Sequence, residues 1–300
     1  MLYAPTSSST KRRRLRAALR DGALIRMPGA FSPLVARLIQ EQGWEGVYVS
    51  GAVVAADLGL PDIGLTSLHE VVGRARQIAR VTDLPALLDV DTGFGEPMNV
   101  ARTVQEAEDA GVSALHLEDQ LNPKRCGHLD HKTVVDVETM VRRIQAALGS
   151  RRDQDLLLVA RTDARAVEGL GPAIDRARRY VDAGADAVFP EALESEAEFA
   201  AFREAIDVPL LANMTEFGKS PLLTTKQLAN LGYNLVIYPA TTLRIAMAAV
   251  ERALARIRAE GTQEDLVGSM QTRARLYDLL DYERYGTFDR RVFDFDLDDS

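Results

Sequence analysis

Acidic and polar side chains stand where the apolar segments of this sequence end. Carboxylate oxygens are the ligands that hard divalent cations prefer, and an arginine among them can hold an anion. Such groups meet at one rim when the segments are parallel strands of a barrel. The pattern predicts a metal site that also accepts an anionic ligand, with the members Ser50, Asp89, Asp91, Glu118, Arg161, Asp163, Glu191 and Asn213.

Asp89 and Asp91 are the most informative pair in this pattern. Residues two apart on a strand point to the same face, so the two carboxylates repel each other unless a cation lies nearby. Glu118 adds a third carboxylate, and no His or Cys at ligand spacing accompanies them, which favours Mg²⁺ or Mn²⁺ over zinc. We predict Mg²⁺ as the cofactor, with Mn²⁺ as the alternative. His116 is interpreted as a histidine of the core.

The only cysteine of the chain, Cys126, lies in the segment NPKRCGH at 122–128. Lys124, Arg125 and an imidazole surround it along the chain. Nearby positive charge stabilises a thiolate, so the segment predicts a thiol pKa near neutrality and proton exchange during turnover. Gly127 allows the segment to act as a lid over the metal.

Eight short apolar segments alternate with amphipathic helical patterns along the chain, and four of the segments follow a glycine that ends a helix. This alternation predicts a parallel (β/α)8 barrel of the TIM type. An open doubly wound sheet is the alternative, although no glycine-rich phosphate loop follows the first strand. The strands are predicted within 24–27, 43–50, 85–90, 111–118, 156–160, 184–191, 208–212 and 232–239. The helices are predicted at about 33–42, 67–80, 99–110, 137–148, 171–183, 194–205, 224–230 and 242–260.

No linker of low complexity divides the chain, so we predict a single domain over 1–300. An N-terminal helix is expected at about 10–20. Its start is rich in basic residues, whose side chains are expected to face solvent. A C-terminal helical arm is expected at about 262–300. The longest irregular connection, 119–136, follows the fourth strand and carries Cys126, and long loops at this end of a barrel are commonly functional.

Composition narrows the classes of partner. The chain has 300 residues with 46% hydrophobic and 27% charged residues, as in soluble globular proteins, and no apolar run long enough for a membrane helix. The net charge of -8 disfavours nucleic acid as the main partner. A single cysteine forms no internal disulfide, which favours a cytoplasmic location. We therefore expect a small-molecule ligand, without nucleic acid or membrane.

Five motifs together resemble the isocitrate lyase and phosphoenolpyruvate mutase superfamily, and the resemblance covers nearly the whole chain. They are LDVDTGFG at 88–95, LHLEDQ at 115–120, KRCGH at 124–128, ARTDA at 160–164 and LLANMTEFG at 210–218. The resemblance implies a (β/α)8 barrel whose eighth helix is exchanged between subunits of a homotetramer. It also implies Mg²⁺-dependent carbon–carbon cleavage of a tricarboxylate, with 2-methylisocitrate giving pyruvate and succinate in propionate catabolism.

Alternative activities of the same superfamily remain open. One is a phosphonomutase of the carboxyphosphonoenolpyruvate type, which would move phosphorus instead of cleaving carbon. The others are lyases or decarboxylases of isocitrate, dimethylmalate or oxaloacetate. A non-catalytic scaffold is disfavoured, because the acids and the thiol of the rim are all present.

The resemblance also implies a role for individual residues. Asp89 matches a direct metal ligand, and Asp91 and Glu118 match positions that hold the metal through water. A water on Glu118 or a metal-bound water is the candidate acceptor of the substrate's hydroxyl proton. Cys126 matches the catalytic acid, and the other catalytic positions are Asp62, Lys124, His128 and Arg161. The substrate-contacting positions are Ser50, Gly51, Ala52, Cys126, Gly127, Arg161, Glu191, Asn213, Met214, Thr215, Arg244 and Arg273, where Ala52 replaces the usual glycine.

Overall fold

The structure is a computed structural model and describes residues 3–129 and 131–293. Eight strands are present among these residues, where the sequence predicts them. They are short and almost entirely buried, as expected for strands covered on both faces. Their bounds are β1 (Ile25–Pro28), β2 (Val47–Val49), β3 (Ala86–Asp89), β4 (Ala114–Glu118), β5 (Leu157–Thr162), β6 (Ala187–Pro190), β7 (Leu211–Asn213) and β8 (Leu235–Tyr238).

The strands form a closed parallel ring. Five strands pair in the order β2-β3-β4-β5-β6 and three in the order β1-β8-β7. Single parallel bridges between Gly29 and Tyr48 and between Val188 and Leu210 join the two sets at both ends. The chain therefore folds as a (β/α)8 barrel, and the open doubly wound sheet is excluded. Closure brings the carboxyl ends of all eight strands to one rim.

All eight predicted barrel helices are present among the described residues, and two short helices, α3 (Gly51–Asp57) and α7 (Arg165–Glu168), were not predicted. Ser50 caps α3, and Ser67 with Glu70 forms a capping box at the start of α4 (Leu68–Ala79). The helices are α1 (Ser8–Arg20), α2 (Pro33–Glu41), α3 (Gly51–Asp57), α4 (Leu68–Ala79), α5 (Pro97–Asp109), α6 (Val137–Ser150), α7 (Arg165–Glu168), α8 (Leu170–Asp182), α9 (Glu196–Ala205), α10 (Thr225–Asn230), α11 (Thr241–Glu260), α12 (Arg273–Leu280) and α13 (Tyr282–Phe293), with a 3₁₀ segment at Glu264–Ser269.

Helix α1 closes the end of the barrel opposite the rim. Its Leu15 and Leu19 belong to the same buried cluster as Met27, Leu87 and other residues that fill the barrel interior. The barrel interior is therefore filled at the end that α1 covers, which leaves the carboxyl ends of the strands for a ligand.

The prediction that the basic residues of α1 are solvated was wrong for two of them. Lys11 and Arg12 are buried. The Lys11 ammonium donates to the carbonyl of Ala79 at 2.8 Å, and the Arg12 guanidinium donates to the carbonyls of Glu108 and Val112. Carbonyls at the ends of α4 and α5 have no partner within their helices and carry partial negative charge, so they bind cations.

The C-terminal region lies outside the barrel. Helix α11 has no buried residue along its length. Helix α12 packs on α2, where Arg275 forms an ion pair with Glu41 and Arg37 donates to the carbonyl of Leu279 at 3.3 Å. The predicted arm is helical as far as it is described, and 294–300 lie outside the described residues. None of the described helices is long and apolar enough to cross a membrane.

Candidate active site

A small cavity of about 90 Å³ lies at the carboxyl ends of the strands. Most of the predicted site residues line it, and they come from strand ends, the lid segment and the start of α11. Side chains far apart in sequence therefore meet because the barrel closes. The lining residues that the sequence predicted are Ser50, Ala52, Asp62, Asp89, Lys124, Cys126, Gly127, His128, Arg161, Glu191, Asn213, Thr215 and Arg244.

Three predicted contact residues do not line this cavity. Met214 packs in the layer between the barrel and its helices, because the side chain after Asn213 on the strand points outward. Gly51 lies behind the wall, and its backbone N–H donates to Asp89 Oδ2 at 3.0 Å. Arg273 is exposed at the start of α12, and the structure does not bring it to the cavity of its own chain.

Asp89 is held by an array of donors. Its carboxylate accepts the N–H of Gly51 at 3.0 Å and the N–H of Asp91 at 3.1 Å. The Tyr48 hydroxyl lies 3.4 Å from Oδ2. Burial alone would raise the pKa of Asp89, but the basic groups around it lower that pKa to about 2. Asp89 is therefore a fixed, ionised carboxylate.

Lys124 connects the lid to the acidic side of the site. Its buried ammonium forms an ion pair with Asp91 Oδ1 at 2.7 Å and a second with Asp62. Asp91 has a left-handed backbone with φ 47°, which turns the chain sharply after β3. Burial raises the pKa of Asp91 to about 6, and Lys124 opposes that shift.

Glu118 supplies carboxylate oxygens without hydrogen bonds. Neither of its buried oxygens accepts a hydrogen bond from the residues that the structure describes. Arg161 Nη1 lies 3.2 Å from Oε2. Burial raises the pKa of Glu118 well above its usual range. A further positive charge at this place would stabilise the ionised carboxylate.

The acidic side of the site fits a hydrated magnesium ion. Among the described residues, no three His, Cys, Asp or Glu side chains lie close enough together to hold an ion directly. Asp89 as a direct ligand, with Asp91 and Glu118 binding metal-bound water, is compatible with that spacing. All three offer oxygen ligands, and Mg²⁺ usually keeps several waters in protein sites. Glu118 accepts no hydrogen bond from the described residues, although Oε2 pairs with Arg161, so its carboxylate can accept from such water.

Arg161 lies at the centre of the opposite wall. Its Nε donates to Asp163 Oδ2 at 2.9 Å and its Nη2 to Asp163 Oδ1 at 3.2 Å. The guanidinium also lies over the ring of Phe189, 5.2 Å from the centroid. A guanidinium has five N–H donors, and these contacts and Glu118 do not occupy them all. Arg161 is thus fixed in orientation and retains donors for an anion in the cavity.

His128 belongs to the same wall. Its Nδ1 accepts the backbone N–H of Lys219 at 3.0 Å, so Nε2 carries the proton. Nε2 lies 2.6 Å from Glu191 Oε1, and the amide of Asn213 donates to both Glu191 oxygens at 3.3 Å. His128 therefore anchors one end of the lid segment to β6 and β7.

The lid, which is the connection 119–136 with Cys126 near its tip, lies over the cavity. The connection 119–136 begins and ends as an antiparallel pair, joined by a bridge between Gln120 and Val134. At its tip, a Cβ on Gly127 would lie 2.5 Å from both Arg161 Nη2 and Glu191 Cγ. Only glycine allows so close an approach, which brings the thiol of Cys126 to the cavity wall.

The predicted lowering of the Cys126 pKa was wrong. Burial raises the pKa of the thiol, and the N–H of His128 opposes this only in part. The expected cations do not face the sulfur as free charges: Lys124 is paired with Asp62 and Asp91, and Arg125 is exposed. The thiol is therefore a neutral acid at neutral pH and retains a proton to deliver.

The sequence prediction missed several residues that support the site. Tyr48 lines the cavity, and its position two residues before Ser50 on β2 is a signal that it shares that face. Its hydroxyl lies 2.8 Å from His116 Nε2. His116 is buried as predicted, but it contacts Asp89 and is part of the site. Asp163, by contrast, was predicted at a strand end, and it holds Arg161.

Sequence comparison identifies relatives of this chain. The model of a family described as phosphoenolpyruvate phosphomutase matches residues 15–258. A protein of Corynebacterium glutamicum named probable 2-methylisocitrate lyase 2 is 62% identical over 298 residues, which cover 99% of this chain and 97% of that protein.

Solved structures share the fold over nearly all of the chain. A 2,3-dimethylmalate lyase, described as a PEP mutase/isocitrate lyase superfamily member, has a TM-score of 0.89 and 31% identity, covering 98% of this chain and 100% of that one. Phosphonopyruvate hydrolase in complex with oxalate and Mg²⁺ has a TM-score of 0.86 and 32% identity, covering 94% and 98%. The chain therefore belongs to the phosphoenolpyruvate mutase and isocitrate lyase superfamily.

Proposed function

We propose that this protein is a Mg²⁺-dependent lyase that cleaves 2-methylisocitrate into pyruvate and succinate. The observation that carries the proposal is the position of Cys126, a protonated thiol on a closed lid, at the same small cavity as Asp89 and Arg161. The name of the Corynebacterium glutamicum relative supports this choice of substrate. A cytoplasmic location accords with it.

Different groups around the cavity carry out the steps that such a cleavage requires. Asp89, Asp91 and Glu118 would hold Mg²⁺, which would supply the positive charge that polarises the 2-hydroxy-carboxylate. A water held by Glu118 takes the hydroxyl proton of the substrate. Arg161 donates to a carboxylate of the departing succinate unit, where negative charge grows as the carbon–carbon bond breaks.

Proton delivery completes the reaction. When the bond between C2 and C3 breaks, C2 becomes the carbonyl carbon of pyruvate and the electron pair remains on C3. Cys126 then donates its proton to C3 and gives succinate. The lid limits the access of bulk water, and Lys124 and His128 hold the two sides of Cys126 on the rim.

A panel of substrates tests this proposal. With Mg²⁺ present, kcat/KM for 2-methylisocitrate should exceed that for isocitrate by about 10-fold to 200-fold, the usual value of one methyl group in a fitted pocket. Pyruvate and glyoxylate are measured separately, and 2,3-dimethylmalate and oxaloacetate are assayed in parallel. A carboxyphosphonoenolpyruvate substrate serves as the control for phosphorus transfer. Faster turnover of any of these competitors would overturn the assignment.

We propose further that the protein is a homotetramer in which α11 and the C-terminal arm of one copy pack against the barrel of another. Met247, Val250, Leu254 and Ile257 are exposed and recur on one face of α11. Beside the start of α11, a largely apolar groove of about 590 Å³ lies between α2 and the barrel. The apolar lining of this groove matches the apolar face of α11 from a second copy of this chain, whose C-terminal arm would bring Arg273 to the cavity.

Sedimentation measures this assembly directly. The parent should sediment as a tetramer, and Leu254→Glu should shift it to smaller species, because a charge on the apolar face opposes burial. Arg252→Glu, on the opposite face of α11, is the control and should leave the assembly intact. A fully active monomer of the parent would contradict both the assembly and the role of Arg273.

A further inference from the structure

Lys132 is a buried cation that the proposed mechanism does not use. It lies on the connection 119–136, in the part that leads back to the barrel after the turn Cys126–His128. Its side chain is 1% exposed. Its ammonium donates to the backbone carbonyl of Gly127 and forms an ion pair with Asp163 Oδ1 at 2.8 Å. Lys132 does not line the cavity. These two partners place Lys132 between the turn Cys126–His128 and the end of β5.

Asp163 is a rigid anchor for this contact. Its backbone N–H donates to Asp119 Oδ1 at 2.8 Å, and Asp119 Oδ2 accepts from the Tyr180 hydroxyl at 2.9 Å. The same Asp163 carboxylate holds Arg161 through two hydrogen bonds. One carboxylate therefore fixes both the lid, through Lys132, and the anion-binding guanidinium.

Because this ion pair is buried, separating it costs more free energy than separating a pair at the surface. Water competes for surface ion pairs, but a buried ammonium that loses its partners has no water to replace them. Opening of the lid would have to separate the Gly127 turn from Arg161 and Glu191 and break its contact with Lys132. The cost of separating these groups favours the closed state.

We propose that Lys132 is a positioning residue that holds the turn Cys126–His128 closed against Arg161. The role assigned to Cys126 rests on the proposed function, whereas the holding of the lid does not. Lys132 acts through the Gly127 carbonyl and Asp163 and does not touch the substrate. Without it, the lid should open more often and the partly buried thiol should become more accessible to solvent.

The reactivity of Cys126 reports the position of the lid, because it is the only cysteine of the chain. Lys132→Met should raise the alkylation rate by iodoacetamide, without substrate, at least about tenfold, since a lost buried contact populates the open lid. The same variant should lose at least about tenfold in kcat on 2-methylisocitrate, because Cys126 is misplaced.

A matched control separates lid opening from general destabilisation. Lys11 is also a buried lysine that donates to backbone carbonyls, but at the opposite end of the barrel. Lys11→Met should leave the alkylation rate unchanged. If Lys132→Met does not fold, Lys132→Gln removes the charge but offers Asp163 an amide donor, leaves the contacts of Asp163 with Arg161 in place, and should be alkylated as fast.

Two results would overturn the inference. One is an alkylation rate within about twofold of the parent in either Lys132 variant, which would show that other contacts hold the lid. The other is an equal increase in Lys11→Met, which would show that loss of stability alone exposes the thiol. Because alkylation needs no substrate, a parent that fails to cleave 2-methylisocitrate refutes the proposed function and leaves this test intact.

Discussion

Cys126→Ser should lower kcat for 2-methylisocitrate by roughly two to four orders of magnitude, the usual contribution of a positioned general acid. Serine keeps the shape of the side chain, but its hydroxyl is far too weak an acid to protonate the succinate carbanion at neutral pH. KM should change little, because Arg161 and the metal-binding acids remain in place. Steady-state kinetics of parent and variant provide the measurement.

Cys126→Ala is the matched control for this variant. If the thiol acts as an acid, serine and alanine should be almost equally slow, whereas a thiol that only packs would make serine nearly normal. The pH profile gives a second measure: activity should fall as pH rises through the thiol pKa, which burial places above its usual value. A kcat for Cys126→Ser within about threefold of the parent would remove Cys126 from the mechanism.

Asp89→Ala should abolish metal-dependent turnover and weaken Mg²⁺ binding by at least about 100-fold, because even residues around a metal's ligands contribute 10-fold to 100-fold. Asp89 also accepts two backbone N–H groups, so alanine leaves buried donors without partners. Asp89→Asn keeps the shape and one acceptor oxygen, and it should show the same loss of metal binding with smaller loss of stability.

Isothermal titration with Mg²⁺ measures this effect. Asp109→Asn is the control, since Asp109 is an exposed acid paired with Arg152 and lies far from the rim. It should bind Mg²⁺ as the parent does. Unchanged Mg²⁺ affinity in both Asp89 variants would show that the ion does not bind at this carboxylate.

The barrel could be predicted because its signals are local. Glycines such as Gly111 and Gly184 end helices immediately before buried strands, and both have the positive φ that this position requires. Alternation then leaves few topologies for the chain to adopt. Helices α3 and α7 escaped prediction because each is too short for a helical period to be visible.

The electrostatics of the lid could not be predicted in the same way. The basic residues beside Cys126 in sequence do not place their charges next to its sulfur. Lys124 pairs with Asp62, and Arg125 is exposed to solvent. Likewise, a lysine in a loop gives no sign that it will be buried, and the place of Lys132 depends on the path of the whole lid. Positions at strand ends were predictable, whereas contacts made across the barrel were not.

Isotope analysis of the products is the most direct measurement of the central claim, cleavage of 2-methylisocitrate with protonation at carbon. In D₂O with Mg²⁺, the parent should release pyruvate and succinate in equal amounts, with a single solvent-derived deuterium at carbon in each succinate. Cys126→Ser should form both products far more slowly. Failure to release pyruvate, or succinate without deuterium from solvent, would contradict the proposed reaction.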